Sequence, residues 1–172
     1  MEQFLRKLNT IPEVAELIGR VEEGGCPAAV TGLQPVHRAC VGAAVALGAG
    51  RPGVFVCGDE REARTLAADL GVLTGAEPVV LLAREWQFRP GAVGSRDWER
   101  SRLAALYALA QGDAPVVVAT ADGLMARTLP PETLRSLAIT LEVGGQAELG
   151  ALAEQLLSAG YTRCEQVEGV GQ

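Results

Sequence analysis

The 172-residue chain has few aromatic side chains, few positive charges and one histidine. Aromatic residues make up 4% of it, which predicts an aliphatic core of the kind found in parallel sheets packed closely under helices. Fifteen basic residues against 21 acidic ones give a net charge of −6, which argues against DNA binding by this chain alone. One histidine and the lack of a C-x-x-C pair argue against a metal centre.

Long hydrophobic runs are also missing. The N-terminus has no apolar signal-peptide region, and no run approaches the roughly 20 residues that span a bilayer. We therefore expect a cytoplasmic protein without membrane contact. Apolar residues still make up 48% of the chain, which is enough for a folded core. In a reducing cytosol the cysteines are expected to be buried thiols; they are Cys26, Cys40, Cys57 and Cys164.

A strand–loop–helix pattern covers residues 28–39, where a small apolar segment leads through Thr31 and Gly32 into a predicted helix. A phosphate-binding loop of this kind reads G-x-x-x-x-G-K-[ST], because its backbone N–H groups, lysine and hydroxyl hold the phosphates and magnesium. The equivalent positions here carry Ala29, Gln34, Pro35 and Val36. The loop has lost its nucleotide chemistry, so we expect no ATP cofactor and no enzymatic activity.

Four short apolar runs alternate with helical patterns. The helices are predicted near residues 35–49, 60–71 and 95–111, and the strands within residues 27–32, 53–59, 77–83 and 114–122. This alternation predicts βαβ units and a mostly parallel sheet flanked by helices. Two short helices are predicted within residues 1–23, with Thr10 as a cap and Pro12 in the first turn of the second.

The helix that follows the second apolar run carries end signals of its own. Asp59 is suited to cap its N-terminus, Glu60 and Glu62 favour its positive end, and Gly71 is suited to its C-terminal cap. These acidic residues therefore need no catalytic role.

The pattern changes near residues 136–139, where we expect a domain boundary. Residues 138–146 alternate as a strand does, residues 147–161 form an amphipathic helix ending at Gly160, and residues 161–172 predict a strand entering a turn. One helix and two strands make a poor core. The chain is thus divided into an α/β domain (1–136) and the first part of a small α+β domain (137–172).

Several segments carry a family resemblance in a fixed order along the chain: "VTGLQPVHRA", "DEREARTLAADL", "SRDWERSRLAALYAL", "VVVATADGLMARTLPP" and "AGYTRCEQVEGVGQ". Together they resemble the N-terminal, UvrB-like region of bacterial transcription-repair coupling factors (Mfd). The resemblance implies a P-loop-NTPase-like sheet similar to UvrB domain 1a, retained as a scaffold after its ATP-binding loop was lost.

The same resemblance implies partners. The UvrB-like module of the family docks UvrA, and so brings the excision-repair machinery to RNA polymerase stalled at a DNA lesion. Docking is attributed to the second small domain, while the ATP-dependent motor that acts on DNA belongs to regions that this chain does not contain.

Arg163 is the leading interface candidate, because UvrB-like second domains carry an arginine implicated in UvrA contact at this point of "YTRCEQ". Glu165 shares its face at strand spacing. The alternative is that Arg163 is a solvated strand arginine.

Other residues have structural interpretations beside functional ones. His37 lacks a nucleophile and an orienting acid, so we expect it on a helix surface. Asp122 follows a strand, where P-loop enzymes hold magnesium, but it also suits a helix cap, which we favour. Trp86 and Trp98 could form a partner-binding loop or pack over the sheet; we favour packing for Trp86 and leave Trp98 open.

A rival function comes from another class: a domain that binds a small phosphate ligand or nucleotide at the carboxyl ends of the strands. Its loops would be "VCGDE" or "ATADG". The nearby cations are Arg61, Arg64 and Arg127.

Overall fold

The computed structural model describes residues 1–25, 27–83, 96–112 and 116–167. In this part of the chain eight helices and three strands follow one another. In chain order they are α1 (Glu2–Leu8), α2 (Pro12–Glu23), α3 (Pro35–Gly48), β1 (Gly53–Cys57), α4 (Glu60–Thr74), β2 (Val79–Leu81), α5 (Arg96–Gln111), β3 (Val116–Thr120), α6 (Ala121–Met125), α7 (Pro131–Leu137) and α8 (Leu149–Ser158).

The sheet is parallel, with strand order β1-β3-β2. Val118 of the central strand β3 lies beside Phe55 of β1 and Val80 of β2. All five residues of β3 are buried, as a strand covered on both faces requires. The expected α/β class with a parallel sheet is therefore confirmed.

The core lies where α3 and α4 pack beside the sheet, and its side chains are aliphatic, as the composition predicts. Helix α4 places Leu70 at 0% exposure, and β3 adds Val118 at 0%. The other members of this cluster are Leu5, Val14, Ala39, Ala43, Ala44, Cys57, Ala63, Ala67, Leu73 and Val116. Small residues on α3 let the helix approach the sheet closely: a Cβ on Gly42 would lie 2.3 Å from the ring of Phe55.

Helix ends follow local chemistry at some positions and depart from it at others. The Asp59 carboxylate accepts a hydrogen bond from the Glu62 backbone N–H at 2.8 Å, which confirms the cap of α4. Pro12 is the first residue of α2, also as predicted. The cap assigned to Thr10 is wrong, because its hydroxyl donates back to the Lys7 carbonyl and Ile11 holds the N-cap position.

The predicted end of α4 at Gly71 is also wrong. The helix continues to Thr74 because Leu73, in its last turn, is buried in the core, and the left-handed cap falls on Gly75 at φ 72°. Gly71 has a packing role instead: a Cβ there would lie 3.3 Å from Pro78 Cδ, so the glycine lets the chain return closely to β2.

Three predicted strands are not formed within the described residues. Residues 27–32 are irregular and exposed, because Pro27 has no N–H, Ala28 and Ala29 offer little apolar area, and Gly32 turns the chain at φ 79°. Residues 138–146 and 161–167 are likewise irregular. Val143 is fully exposed, so alternation without a neighbouring strand to pair with did not produce a strand.

The chain divides into two compact units. The first holds the described residues of 1–86 and 111–126, with the sheet and helices α1–α4 and α6. The second holds those of 87–110 and 127–172, where the Arg135 guanidinium donates a hydrogen bond to the Ala110 carbonyl. The domain boundary near residues 136–139 stays a prediction.

Candidate functional site

The altered loop is an exposed turn that leads into α3. Gly32 takes the left-handed conformation, and Gln34 holds the N-cap position of α3 without a side-chain hydrogen bond. Pro35 occupies the first helical position, where its fixed φ suits the helix and its missing N–H is not needed. Val36 follows, 54% exposed. The helix therefore begins with an apolar surface where a working loop presents lysine and a hydroxyl.

Arg38 ties the loop to the rest of the first unit. Its Nε donates to the Leu33 carbonyl at 3.3 Å, and its Nη1 lies 3.3 Å from Glu62 Oε1 on α4. The other Glu62 oxygen accepts the Gly58 backbone N–H at 3.1 Å, just after β1. Arg38, the first cation after the loop, is thus paired with a carboxylate and donates to a backbone carbonyl, so its charge is already partly neutralised.

The loop residues line an apolar groove of about 620 Å³ together with α1, α2 and α3. The wall of the groove contains one arginine, Arg20, which forms an ion pair with Glu16 at 2.9 Å. Glu13 adds a second carboxylate to the same wall. The full lining is Phe4, Leu8, Ile11, Glu13, Val14, Glu16, Leu17, Arg20, Ala28, Ala29, Val30, Thr31, Leu33, His37, Cys40 and Val41. Apolar walls with an excess of carboxylates do not suit a polyphosphate.

The carboxyl end of β1, one of the two loops that the rival function needs, is electronegative. Burial first, and then the Glu62 and Asp59 carboxylates, raise the pKa of the Cys57 thiol. Arg64 is paired with Glu60 at 2.6 Å, while Arg61 is exposed. The local field therefore opposes an anionic ligand at "VCGDE".

The other loop, at the carboxyl end of β3, is closed against its neighbour. The Thr120 hydroxyl accepts the Gly123 backbone N–H at 3.2 Å and caps α6, so the favoured interpretation of Asp122 as the cap is wrong. Thr120 takes that role because it is the last strand residue, with extended backbone, whereas Asp122 is already in the first helical turn. A Cβ on Gly123 would lie 2.4 Å from the Leu81 carbonyl oxygen, so "ATADG" packs tightly on the end of β2.

Arg163 and Glu165 lie in an exposed, irregular segment after α8. The expected common strand face is not formed within residues 161–167, and neither side chain makes a hydrogen bond or ion pair with another described residue. Their role in partner binding stays a prediction. Arg127, the third cation of the rival function, is also exposed.

The remaining candidates have local explanations. His37 is exposed on α3, as predicted. Trp98 is half-buried on α5, where the Arg102 guanidinium lies 5.6 Å from its ring centre. Arg102 is itself buried, which lowers its pKa. Trp86 lies outside the described residues.

The cysteines are less uniform than expected. Cys57 is buried and Cys40 half-buried, but Cys164 is exposed, because it lies in the irregular segment after α8; Cys26 lies outside the described residues.

Within the described ranges no cluster of histidine, cysteine and carboxylate side chains could hold a metal ion. No helix of the described residues is long and apolar enough to cross a membrane.

The Arg38–Glu62 contact was missed by sequence reasoning. The two residues are 24 positions apart and lie on different helices, and nothing in the local pattern around either one indicates that they meet. A weak signal was present in the arginine just after the loop, in the first turn of α3, where it can reach a carboxylate at the start of α4.

Comparison with known proteins identifies relatives over most of the chain. It is 33% identical over 128 residues, 70% of its length, to the transcription-repair-coupling factor of Myxococcus xanthus. It is 28% identical over 158 residues, 91% of its length, to the transcription-repair-coupling factor of Bacillus subtilis (strain 168). The chain spans 11% and 13% of these two relatives. No protein-family model and no solved structure matches it. The relationship to transcription-repair coupling factors is confirmed.

Proposed function

We propose that this chain is a non-catalytic module of a transcription-repair coupling factor. In this role a UvrB-like, P-loop-NTPase-like fold serves as a scaffold that docks UvrA and so recruits excision repair to RNA polymerase stalled at DNA damage. The observation that carries the proposal is the similarity to two coupling factors, over up to 91% of the chain, in a sequence whose phosphate-binding loop has no lysine and no metal-binding hydroxyl.

The surroundings of the loop support the loss of nucleotide chemistry. Arg38 is engaged by Glu62 and the Leu33 carbonyl, and the groove beside the loop is apolar with carboxylates at its wall. Each missing charge-assisted contact forfeits about 1.5–3 kcal/mol. Losing both the lysine and the hydroxyl is thus enough to move an ATP affinity from micromolar to millimolar.

Titration calorimetry with Mg-ATP tests this part of the proposal. We expect no saturable heat and no hydrolysis by the purified chain. A dissociation constant tighter than roughly 100 μM, about −5.5 kcal/mol, would instead favour a nucleotide-binding domain.

Arg163 is proposed as the centre of the docking surface, with Glu165 beside it. The side chain is exposed and has no ion-pair partner among the described residues, so its charge is available to a partner. Truncating an arginine at an interface hot spot costs about 2 kcal/mol or more, which is roughly a 30-fold loss of affinity.

Biolayer interferometry with immobilised chain and UvrA in solution measures that loss. Arg163→Ala is expected to weaken binding about 30-fold, whereas Arg100→Ala, which removes another exposed arginine of the same unit, is expected to change it less than twofold. Equal effects of the two substitutions would remove Arg163 from the docking surface.

A further inference from the structure

Strand β1 lies at an edge of the sheet that the described residues form. Among the described residues it pairs with β3 alone, so the backbone groups on its other side have no strand partner. The opposite edge of the sheet is β2, which has only three residues. The five-residue edge of β1 is therefore the longer template for pairing with another extended chain.

The sequence of β1 itself carries none of the residues or irregularities that usually protect a free edge. The strand "GVFVC" has no charged residue, no proline and no bulge. Its outward face exposes Val54 by 60% and Val56 by 58%, while Phe55 faces the core. Unpaired backbone and exposed β-branched side chains together fit a strand as the partner.

The sequence around this edge is complementary to itself. Turning a second copy about a two-fold axis through Phe55 makes the strands antiparallel and sets Val54 opposite Val56 of the other copy, in both directions. The same axis brings Arg51 opposite Asp59 of the second copy at each end of the strand. Arg51 is exposed and has no ion-pair partner among the described residues.

The positions of the outward hydrogen-bonding groups along the strand also agree with this axis. In a strand paired on one side, the outward N–H and C=O groups belong to alternate residues. An axis through Phe55 pairs odd-numbered residues of one copy with odd-numbered residues of the other, and even with even. The outward N–H and C=O groups of one copy therefore meet the outward groups of the other. Axes through Val54 or Val56 also pair outward groups with outward groups, but they shorten the overlap of the two strands and separate Arg51 from Asp59.

We infer that β1 is a homodimer interface, where two copies of this chain join edge to edge as antiparallel strands about an axis through Phe55. The pairing makes one continuous six-stranded sheet, fills the open backbone positions and brings the exposed valines together. The pair of Arg51–Asp59 contacts offsets part of the repulsion between two chains that each carry a net charge of −6.

Sedimentation equilibrium of the whole chain between about 1 and 100 μM tests the dimer. A monomer–dimer equilibrium is expected, with a limiting mass of twice 17.9 kDa. V54K/V56K places a lysine opposite a lysine at both points where Val54 of one copy faces Val56 of the other. The dimer dissociation constant should therefore rise at least about tenfold. The control V72K adds a lysine at a valine of α4 that is 66% exposed, and should change it less than about twofold.

A charge swap tests the register of the pairing. V54K/V56E makes the same number of changes in the strand, but the axis through Phe55 sets each introduced lysine opposite an introduced glutamate, so the dimer should be stronger than that of V54K/V56K. R51E lies outside the strand and should weaken the dimer about threefold or more, because it faces Asp59 of the second copy. The inference would be overturned if the parent chain is monomeric, or if V54K/V56E and V54K/V56K weaken the dimer equally. It would also be overturned if neither V54K/V56K nor R51E changes the dimer dissociation constant.

Discussion

Gly123→Ala tests directly whether the loop at the end of β3 is closed against β2. The added Cβ would lie 2.4 Å from the Leu81 carbonyl oxygen and 3.0 Å from two backbone carbon atoms of the same segment. Because contacts below 3.0 Å are essentially never adopted by a real Cβ, the strand end and the loop must separate by at least 0.6 Å. Both partners are backbone, so no side chain can rotate away.

The size of the effect follows from overpacking. Forcing such a shift in a packed region costs about 1–3 kcal/mol. For a chain of this length about 1 kcal/mol lowers the melting temperature by roughly 2–4 °C, so we expect Gly123→Ala to lower it by about 2–12 °C.

Gly19→Ala is the matched control for this experiment. Gly19 lies inside α2, where an added Cβ meets nothing within 4 Å. The same chemical change should there raise stability by about 0.5–1 kcal/mol, because alanine favours the helix interior. Thermal melts of both variants, followed by circular dichroism, should shift in opposite directions. If Gly123→Ala melts at or above the temperature of the parent, the loop has room for a ligand and the reasoning fails.

Three further predictions concern local chemistry. Asp59→Ala should lower the free energy of unfolding by about 1 kcal/mol through loss of the α4 cap, while Asp59→Asn should keep most of it; urea melts measure both. Two backbone N–H groups of α8 lower the pKa of Glu148, so that cap is complete above the ordinary value of 4.5 and is lost as pH falls through the lowered pKa. Amide exchange in α8 should accelerate in that acid range, and Glu148→Gln should remove the pH dependence. Cys57, buried and with a raised pKa, should react with a thiol reagent more slowly than exposed Cys164; peptide mapping that finds the reverse order would contradict its burial.

Helices were predictable where their signals are local. Helix α3 begins at Pro35, and α4 begins after Asp59, because a proline at the first position and a capping carboxylate act within one turn. The end of α4 was not predictable from Gly71, since the burial of Leu73 in the core carries the helix onward to Gly75.

Strands were predictable only where a partner exists. The continuous apolar run that became β3 is buried between two neighbouring strands, whereas residues 138–146 alternate as a strand does and form none without a neighbour. The site shows the same division. The missing lysine and hydroxyl can be read at Pro35 and Val36, but the Arg38–Glu62 contact depends on how two helices pack.

Hydrogen–deuterium exchange of the whole chain, with UvrA or with Mg-ATP added, tests the central claim most directly, because one measurement reports both on docking and on nucleotide binding. We predict that UvrA slows exchange around residues 161–167, and that Mg-ATP leaves exchange at residues 28–38 unchanged. Protection of residues 28–38 by Mg-ATP, with no protection of residues 161–167 by UvrA, would contradict the proposal that this fold serves protein docking and has lost nucleotide chemistry.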